Sequence, residues 1–323
     1  MKRIVLVLLV LTLAGVMAFA APGREGGAGG ALGDYPTKSI RCILPYAPGG
    51  GTDVFVRTMI KYMDLKNGMA VVNIEGAGGL VGAMEGYNSS NDGYTIIAHN
   101  PMEVIGYTLS NMTQIPLWSE LELICWAVTD YMATFVGKQT GFKTIEDVVA
   151  YAKANPGKLQ WGTVGAKTIN NVMAQRTIEG MGLKGLVTVV PYESGAQVRT
   201  ALLGGHVQVC EASLGDLNTI IQSGDAIPVV LVSPDRTKLA PNVPTAAEKG
   251  LKGIDLLICR GFYGPKGMNP AQIKYLEGVF KAAAENPEFG VEINKYSSDA
   301  YFVPGAEASR RCVEAYNLLK PYY

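Results

Sequence analysis

The chain has 323 residues, with 28 basic and 28 acidic side chains, two histidines and five cysteines. A balanced charge removes the argument for nucleic acid or an anionic membrane surface as main partner, and two histidines leave few ways to build a Ser–His or Cys–His catalytic pair. The cysteines (Cys42, Cys125, Cys210, Cys259, Cys312) are widely spaced with no C-x-x-C pair, so they read as buried small hydrophobes rather than metal or redox ligands.

Lys2 and Arg3 followed by an apolar stretch to Phe19 and the small-x-small pattern Ala18-Phe19-Ala20 read as an export signal over 1–20, cleaved near Ala20. The alternative is an uncleaved anchor, against which the stretch is short for a span. Cleavage leaves 26 basic against 28 acidic side chains. The Gly- and Ala-rich segment 21–34 reads as a flexible leader. The remainder exceeds what one core usually supports, so two lobes are expected.

From Tyr35 apolar strands alternate with amphipathic stretches. Strands are predicted at 39–44, 69–73 and 94–98, and helices at 53–63 and 80–89. A second series follows: extended runs 121–128 and 132–136, helix 144–154 closed by Asn155-Pro156-Gly157, strand 159–162, helix 169–180, strand 186–191, helix 195–203, and strands 207–210 and 227–232. After a Pro- and charge-rich link at 233–252 come a strand at 256–263 and helices at 270–285 and 306–319. Such repeats predict an α/β fold with doubly wound, parallel sheets flanked by helices. The chain is expected to cross between lobes near 128–132 and 254–261, giving lobe 1 as 35–130 with 256–323 and lobe 2 as 131–255.

Two strand-to-helix loops carry the chemistry. In Pro45-Tyr46-Ala47-Pro48-Gly49-Gly50-Gly51-Thr52-Asp53 three glycines admit close backbone approach, and the helix start that follows favours an anion. The segment lacks the Gly-Lys-Ser/Thr ending of a P-loop and the G-x-G-x-x-G spacing of a dinucleotide site. In Trp161-Gly162-Thr163-Val164-Gly165-Ala166-Lys167-Thr168, Thr163 and Thr168 offer hydroxyls, Gly165 backbone access and Lys167 a charge, although a Thr before a helix is ordinarily a cap. Gly76-Ala77-Gly78-Gly79 serves either ligand contact or helix packing. Glu211 and Asp216 have no matched second carboxylate, so acid/base catalysis is unsupported, and no metal or cofactor is expected.

These segments, together with Asp92-Gly93-Tyr94-Thr95, Val190-Pro191-Tyr192, Gly204-Gly205-His206-Val207 and Pro241-Asn242-Val243-Pro244-Thr245, resemble the receptor family of tripartite tricarboxylate transporters, the Bug-type extracytoplasmic solute-binding proteins. The resemblance implies a two-lobed, type 2 periplasmic-binding-protein-like fold. It also implies a monomer located in the periplasm, a small di- or tricarboxylate or related organic acid held partly through ordered water, and delivery to membrane transporter subunits. Carried over by position, it assigns ligand contacts to Tyr46, Pro48, Gly49, Gly50, Thr52 and Asp53 in the first lobe and to Thr163 and Gly165 in the second. His99, Asn100, Tyr192 and Glu211 would meet the far end of the ligand. The chain departs from the family at Lys167 (usually Gly), Asn171 (usually His) and Arg260 (commonly Trp). A sensor module for a membrane signalling protein is the competing expectation.

Overall fold

The computed structural model describes residues 32–166, 168–192, 195–233, 236–251 and 258–323. The expected export signal, almost all of the leader and Lys167 lie outside the described residues. Among the described residues no helix is long and apolar enough to cross a membrane.

The elements in chain order are β1 (Ile40–Leu44), α1 (Gly51–Ile60), β2 (Met69–Asn73), α2 (Leu80–Tyr87), β3 (Thr95–His99), α3 (Pro101–Leu109), α4 (Leu117–Glu120), β4 (Glu122–Asp130), β5 (Met132–Gly137), α5 (Ile145–Ala154), β6 (Leu159–Val164), α6 (Ile169–Gly180), β7 (Val187–Tyr192), α7 (Gly195–Leu203), β8 (Val209–Ser213), α8 (Leu214–Gln222), β9 (Ala226–Val232), β10 (Ile258–Gly264), α9 (Pro270–Ala284), α10 (Pro287–Asn294), β11 (Ser298–Pro304) and α11 (Gly305–Leu319). The sequence reading did not anticipate α3, α4, α8, α10 and β11.

Local signals account for most starts. Asn100-Pro101, Asn269-Pro270 and Asn286-Pro287 each begin a helix: the Asn side chain accepts the N–H two residues on, and Pro fills a position whose N–H has no partner anyway. Thr144 and Asp147 form a reciprocal capping box at α5. In α1, Thr52, Phe55, Val56 and Met59 are buried at helical spacing, which turns one stripe of the helix to the sheet.

The strands form two mixed sheets, ordered β11-β4-β10-β3-β1-β2 and β7-β6-β8-β5-β9. The α/β fold with helix-flanked sheets is as expected, but the expected parallel order holds for only part of each sheet. Within each sheet the first three strands, β1 to β3 or β6 to β8, are parallel neighbours, but β10 runs antiparallel to β3 and β4, and β5 antiparallel to β8 and β9. These two reversed strands are the ones by which the chain enters a sheet from the other. The crossing from β4 to β5 consists of Tyr131 alone, whose carbonyl accepts the N–H of Leu214. With β1 matched to β6, both sheets follow one order apart from the extra β11, so β1 and β6 hold equivalent places beside an edge strand and each opens into one of the two loops.

One apolar cluster fills the α1, α9 and α10 side of the first sheet, where Phe262 stacks on Phe280 at 3.9 Å between ring centroids and meets Phe55 at 5.4 Å. Another fills the α7 and α8 side of the second sheet. A third runs from Tyr107, Cys259 and Cys312 beside the first sheet to Trp161 and Val172 beside the second, so the two lobes share one core along one flank.

All five cysteines are buried, as read from the sequence, and they are free; burial raises their thiols, Cys42 and Cys312 to about 12. A thiolate is the reactive form, so the native protein should show no fast-reacting thiol toward a disulfide reagent at pH 8 and all five after denaturation. A thiol titrated rapidly in the native state would refute this account of the core.

Candidate functional site

The first loop closes onto α1 without a side-chain cap, because the residue at the cap position is Gly50. Asp53, which would ordinarily reach back to that position, instead accepts the N–H of Gly49 at 2.9 Å and bonds to Arg57 and to Asn73 Nδ2 at 3.1 Å. Asn73 also donates to the Tyr46 carbonyl at 2.9 Å. Burial works against the Asp53 charge, but the bonds from Arg57, the Gly49 amide and Asn73 outweigh it and hold the carboxyl below its ordinary range. Asp53 therefore braces the loop, and the first-turn amides of α1 are left to face outward.

The three glycines have different reasons to be small. Gly49 has φ of 80°, a left-handed conformation that other residues adopt at a cost. Gly50 is extended, with φ −72° and ψ 165°, and a Cβ there meets only the Ala47 carbonyl oxygen, at 3.3 Å. At Gly51 a Cβ would stand 2.6 Å from Arg260 Nη2 and 3.3 Å from Nη1, so the Arg260 guanidinium fills the space beside the first residue of α1. Arg260 is ion-paired with Asp130 at 2.5 Å, off the direction of a good hydrogen bond; their side chains are 16% and 4% exposed. Asp130 also accepts a short hydrogen bond from Ser298 Oγ.

Beside the loop lies a hydrogen-bonded chain. The Asn100 N–H approaches His99 Nδ1 at 2.8 Å, which leaves that nitrogen as an acceptor and puts the ring proton on Nε2. Tyr46 Oη then donates to Nδ1 at 3.1 Å, Nε2–H donates to Tyr107 Oη at 2.9 Å, and Tyr107 donates to the Gly78 carbonyl at 2.8 Å. Burial depresses the His99 pKa to about 3, so the ring is neutral. Gly79 packs against this chain, where a Cβ would meet Tyr107 Oη at 2.6 Å; the second Gly-rich turn serves packing there. Asn100 caps α3 through Oδ1. Glu103, in the first turn of α3, is raised to about 7 by burial.

In the second lobe Gly165 has φ of 65° and donates its N–H to the Tyr192 carbonyl at 2.7 Å. Thr168 caps α6, accepting the Asn171 N–H at 3.5 Å and donating to the Val164 carbonyl, so its hydroxyl is committed to structure. Thr163 is fully buried, and its hydroxyl has no partner among the described residues. Ala166 and Asn171 line a cavity of about 210 Å³ together with Leu109 to Asn111 and the Tyr322 and Tyr323 side chains, so this loop faces the first lobe. Tyr192 lines a separate cavity of about 450 Å³ with Thr200 and His206, along α7. Glu211 lies wholly inside the second lobe, bonded to Thr134 at 2.9 Å and Thr177 at 3.3 Å. The structure thus brings Tyr46, Gly49, Asp53, His99 and Asn100 together with Pro48, Gly50 and Thr52 on one loop. It gathers Gly165 and Thr168 on the other, with Thr163 beneath, and turns Tyr192 and Glu211 elsewhere. Among the described residues no His, Cys, Asp and Glu group is arranged to hold a metal.

The receptor family of tripartite tricarboxylate transporters matches residues 57–317. The chain belongs to that family. Its members are solute-binding receptors rather than enzymes. A protein from the gbd 5′ region of Cupriavidus necator is 29% identical over 285 residues, spanning 87% of this chain and 85% of that one. Among solved structures, MatC of Rhodopseudomonas palustris with bound malate is 18% identical with TM-score 0.73, covering 89% of this chain and 99% of its own. An R. palustris protein with adipate is 19% identical with TM-score 0.77, covering 88% and 95%. These likenesses establish the two-lobed periplasmic-binding-protein fold.

Sequence reasoning missed Asp130, Asn73, Tyr107 and Glu103, and noted Arg260 without placing it. Tyr107 and Asn73 carry no local signal, because only the fold brings them to the loops. Asn100-Pro101 announces a helix, and its first turn would have put Glu103 near the end of β3.

Burial raises the Glu211 carboxyl to about 8, against the bonds from Thr134 and Thr177. Below the ordinary carboxyl value of about 4.3 both folded and unfolded chains hold the proton. From there to about 8 only the unfolded chain releases it, so folding loses up to about 1.4 kcal/mol per pH unit over that window. Glu211→Gln keeps the shape without the titration, so its melting temperature should fall less than that of the wild type between pH 5 and 8. Parallel pH profiles for the two proteins would overturn the placement of Glu211 in the core.

Proposed function

We propose that this receptor captures a small carboxylate between its lobes outside the cytoplasmic membrane and delivers it to the membrane subunits of a tripartite transporter. The lobes are residues 35–130 with 256–323, and residues 131–255. The observation that carries the reading is the uncapped start of α1: Gly50 supplies no side chain and Asp53 is engaged elsewhere, so the helix presents free amides and a partial positive charge at the loop. Gly49, Gly50 and Thr52 line that approach with Pro48, Tyr46 stands beside it, and Gly165 meets the solute from the second lobe with Thr163 buried beneath. Asp53, Asn100 and Thr168 hold these surfaces in place. The relatives solved with malate and adipate support a carboxylate as the solute class. The apolar stretch before Ala20 supports export.

Capture and release suffice as mechanism. A ligand at about a hundred times its dissociation constant stabilises the bound form by about 2.7 kcal/mol, and each kcal/mol moves the midpoint of a domain this size by roughly 2–4 °C. Malate or adipate should therefore raise the melting temperature by several degrees, and their diamides should not. Gly50→Val, extended and free of backbone strain, should melt near the wild type and lose that shift. If the variant keeps the full shift, the loop does not hold the solute.

A further inference from the structure

The third glycine of the loop has no conformational need to be glycine, since Gly51 lies in ordinary helical backbone. Its lack of a side chain is explained by the guanidinium beside it, with Arg260 Nη2, Cζ and Nη1 all within 3.3 Å of where a Cβ would stand. Asp130 pairs with this guanidinium from one side and is itself anchored by Ser298 Oγ, so the charge is held beside α1 before any solute arrives. Asp130 is its only ion-pair partner among the described residues. A guanidinium carries five N–H donors, more than one carboxylate can use, and the 16% exposure of Arg260 leaves part of it open to solvent.

We propose that Arg260 is a specificity-determining residue of the cleft, its guanidinium gripping the same solute carboxylate that the first-turn amides of α1 receive. The proposal rests on the carboxylate reading and adds a formal charge to a site otherwise built of amides. Asp130 offsets the guanidinium's charge, so Arg260 offers the solute its unused N–H donors rather than a surplus positive charge, and a dianionic phosphate would bring twice a carboxylate's charge to a seat with no further positive side chain, among the described residues, to match it. Gly51 and Arg260 form a coupled pair, because a side chain at 51 and the guanidinium compete for one space.

Calorimetric titration with malate, adipate and a phosphate monoester, glycerol 3-phosphate, tests this. The wild type should bind one of the two dicarboxylates and not the phosphate. Arg260→Gln should weaken that dicarboxylate roughly ten- to a hundredfold, the usual loss for a charged hydrogen bond, and Arg260→Lys should fall between because it keeps the charge without the fork. Gly51→Ala should weaken binding by displacing the guanidinium, and adding it to Arg260→Gln should cost little more. Affinity in Arg260→Gln within threefold of the wild type overturns the proposal and leaves the carboxylate receptor standing, whereas a wild type that binds neither dicarboxylate overturns both. Tighter binding of the phosphate ester than of either dicarboxylate overturns it too. Should Arg260→Gln misfold with Asp130 left unpaired, Asp130→Asn/Arg260→Gln takes its place under the same criteria. If neither folds, Gly51→Ala decides, and unchanged affinity there overturns the proposal.

Discussion

Asp130 is the last residue of the strand by which the chain leaves the first sheet, and Arg260 sits near the start of the strand by which it returns. Their ion pair ties the two crossing points together at the edge where the first loop opens. Breaking a fully buried pair by removing one partner typically costs about 3–5 kcal/mol, and with Asp130 buried and Arg260 partly open to solvent the cost here lies below that. Ser298, on β11, closes the carboxylate from the other side, so three strands meet at one group. The position of the guanidinium against α1, and hence the shape of the loop, follows from this junction.

The common strand order of the two sheets has a physical basis in the crossing itself. A strand arriving directly from the other lobe runs opposite to the strands built by strand-helix repeats, and it takes the interior place beside the third of them. Both lobes therefore present the loop after their first strand on the side where the chain passes between them. The core continuous along one flank ties the lobes together there, and the second loop faces the end of α3 and the C-terminal tyrosines across a cavity.

Periodicity located most elements within two residues, and where a helix was missed the signal was often present. Asn-Pro opens α3 and α10 as it opens α9, but at Asn155-Pro156 the next residue is Gly157 and the helix ends instead, so the dipeptide alone is ambiguous. Strand β11, at Ser298–Pro304, escaped because it is a half-buried edge strand that mixes polar and aromatic residues. At the site, Gly-rich loops and helix starts could be read from local spacing. The Tyr46–His99–Tyr107 chain, the Asp130–Arg260 pair and the burial of Glu211 depend on which strands become neighbours, and spacing along the chain does not encode that. Asp53 illustrates the limit within a motif: its place in the loop was legible, but its role as a brace depends on Asn73, twenty residues on.

The hydrogen-bonded chain from Tyr46 to Gly78 runs in one direction only. The amide of Asn100 fixes His99 Nδ1 as an acceptor, the Tyr46 proton is committed to it, and every later link passes a proton the same way until a carbonyl ends the series. Tyr46 thus shows the loop an oxygen with lone pairs and no hydrogen to give. A carboxylate oxygen set against it would be repelled, whereas a hydroxyl or ammonium on the same solute would be welcomed. The polarity of a single phenol is thus set two links away by a backbone amide, and any group placed beside it would have to be a donor.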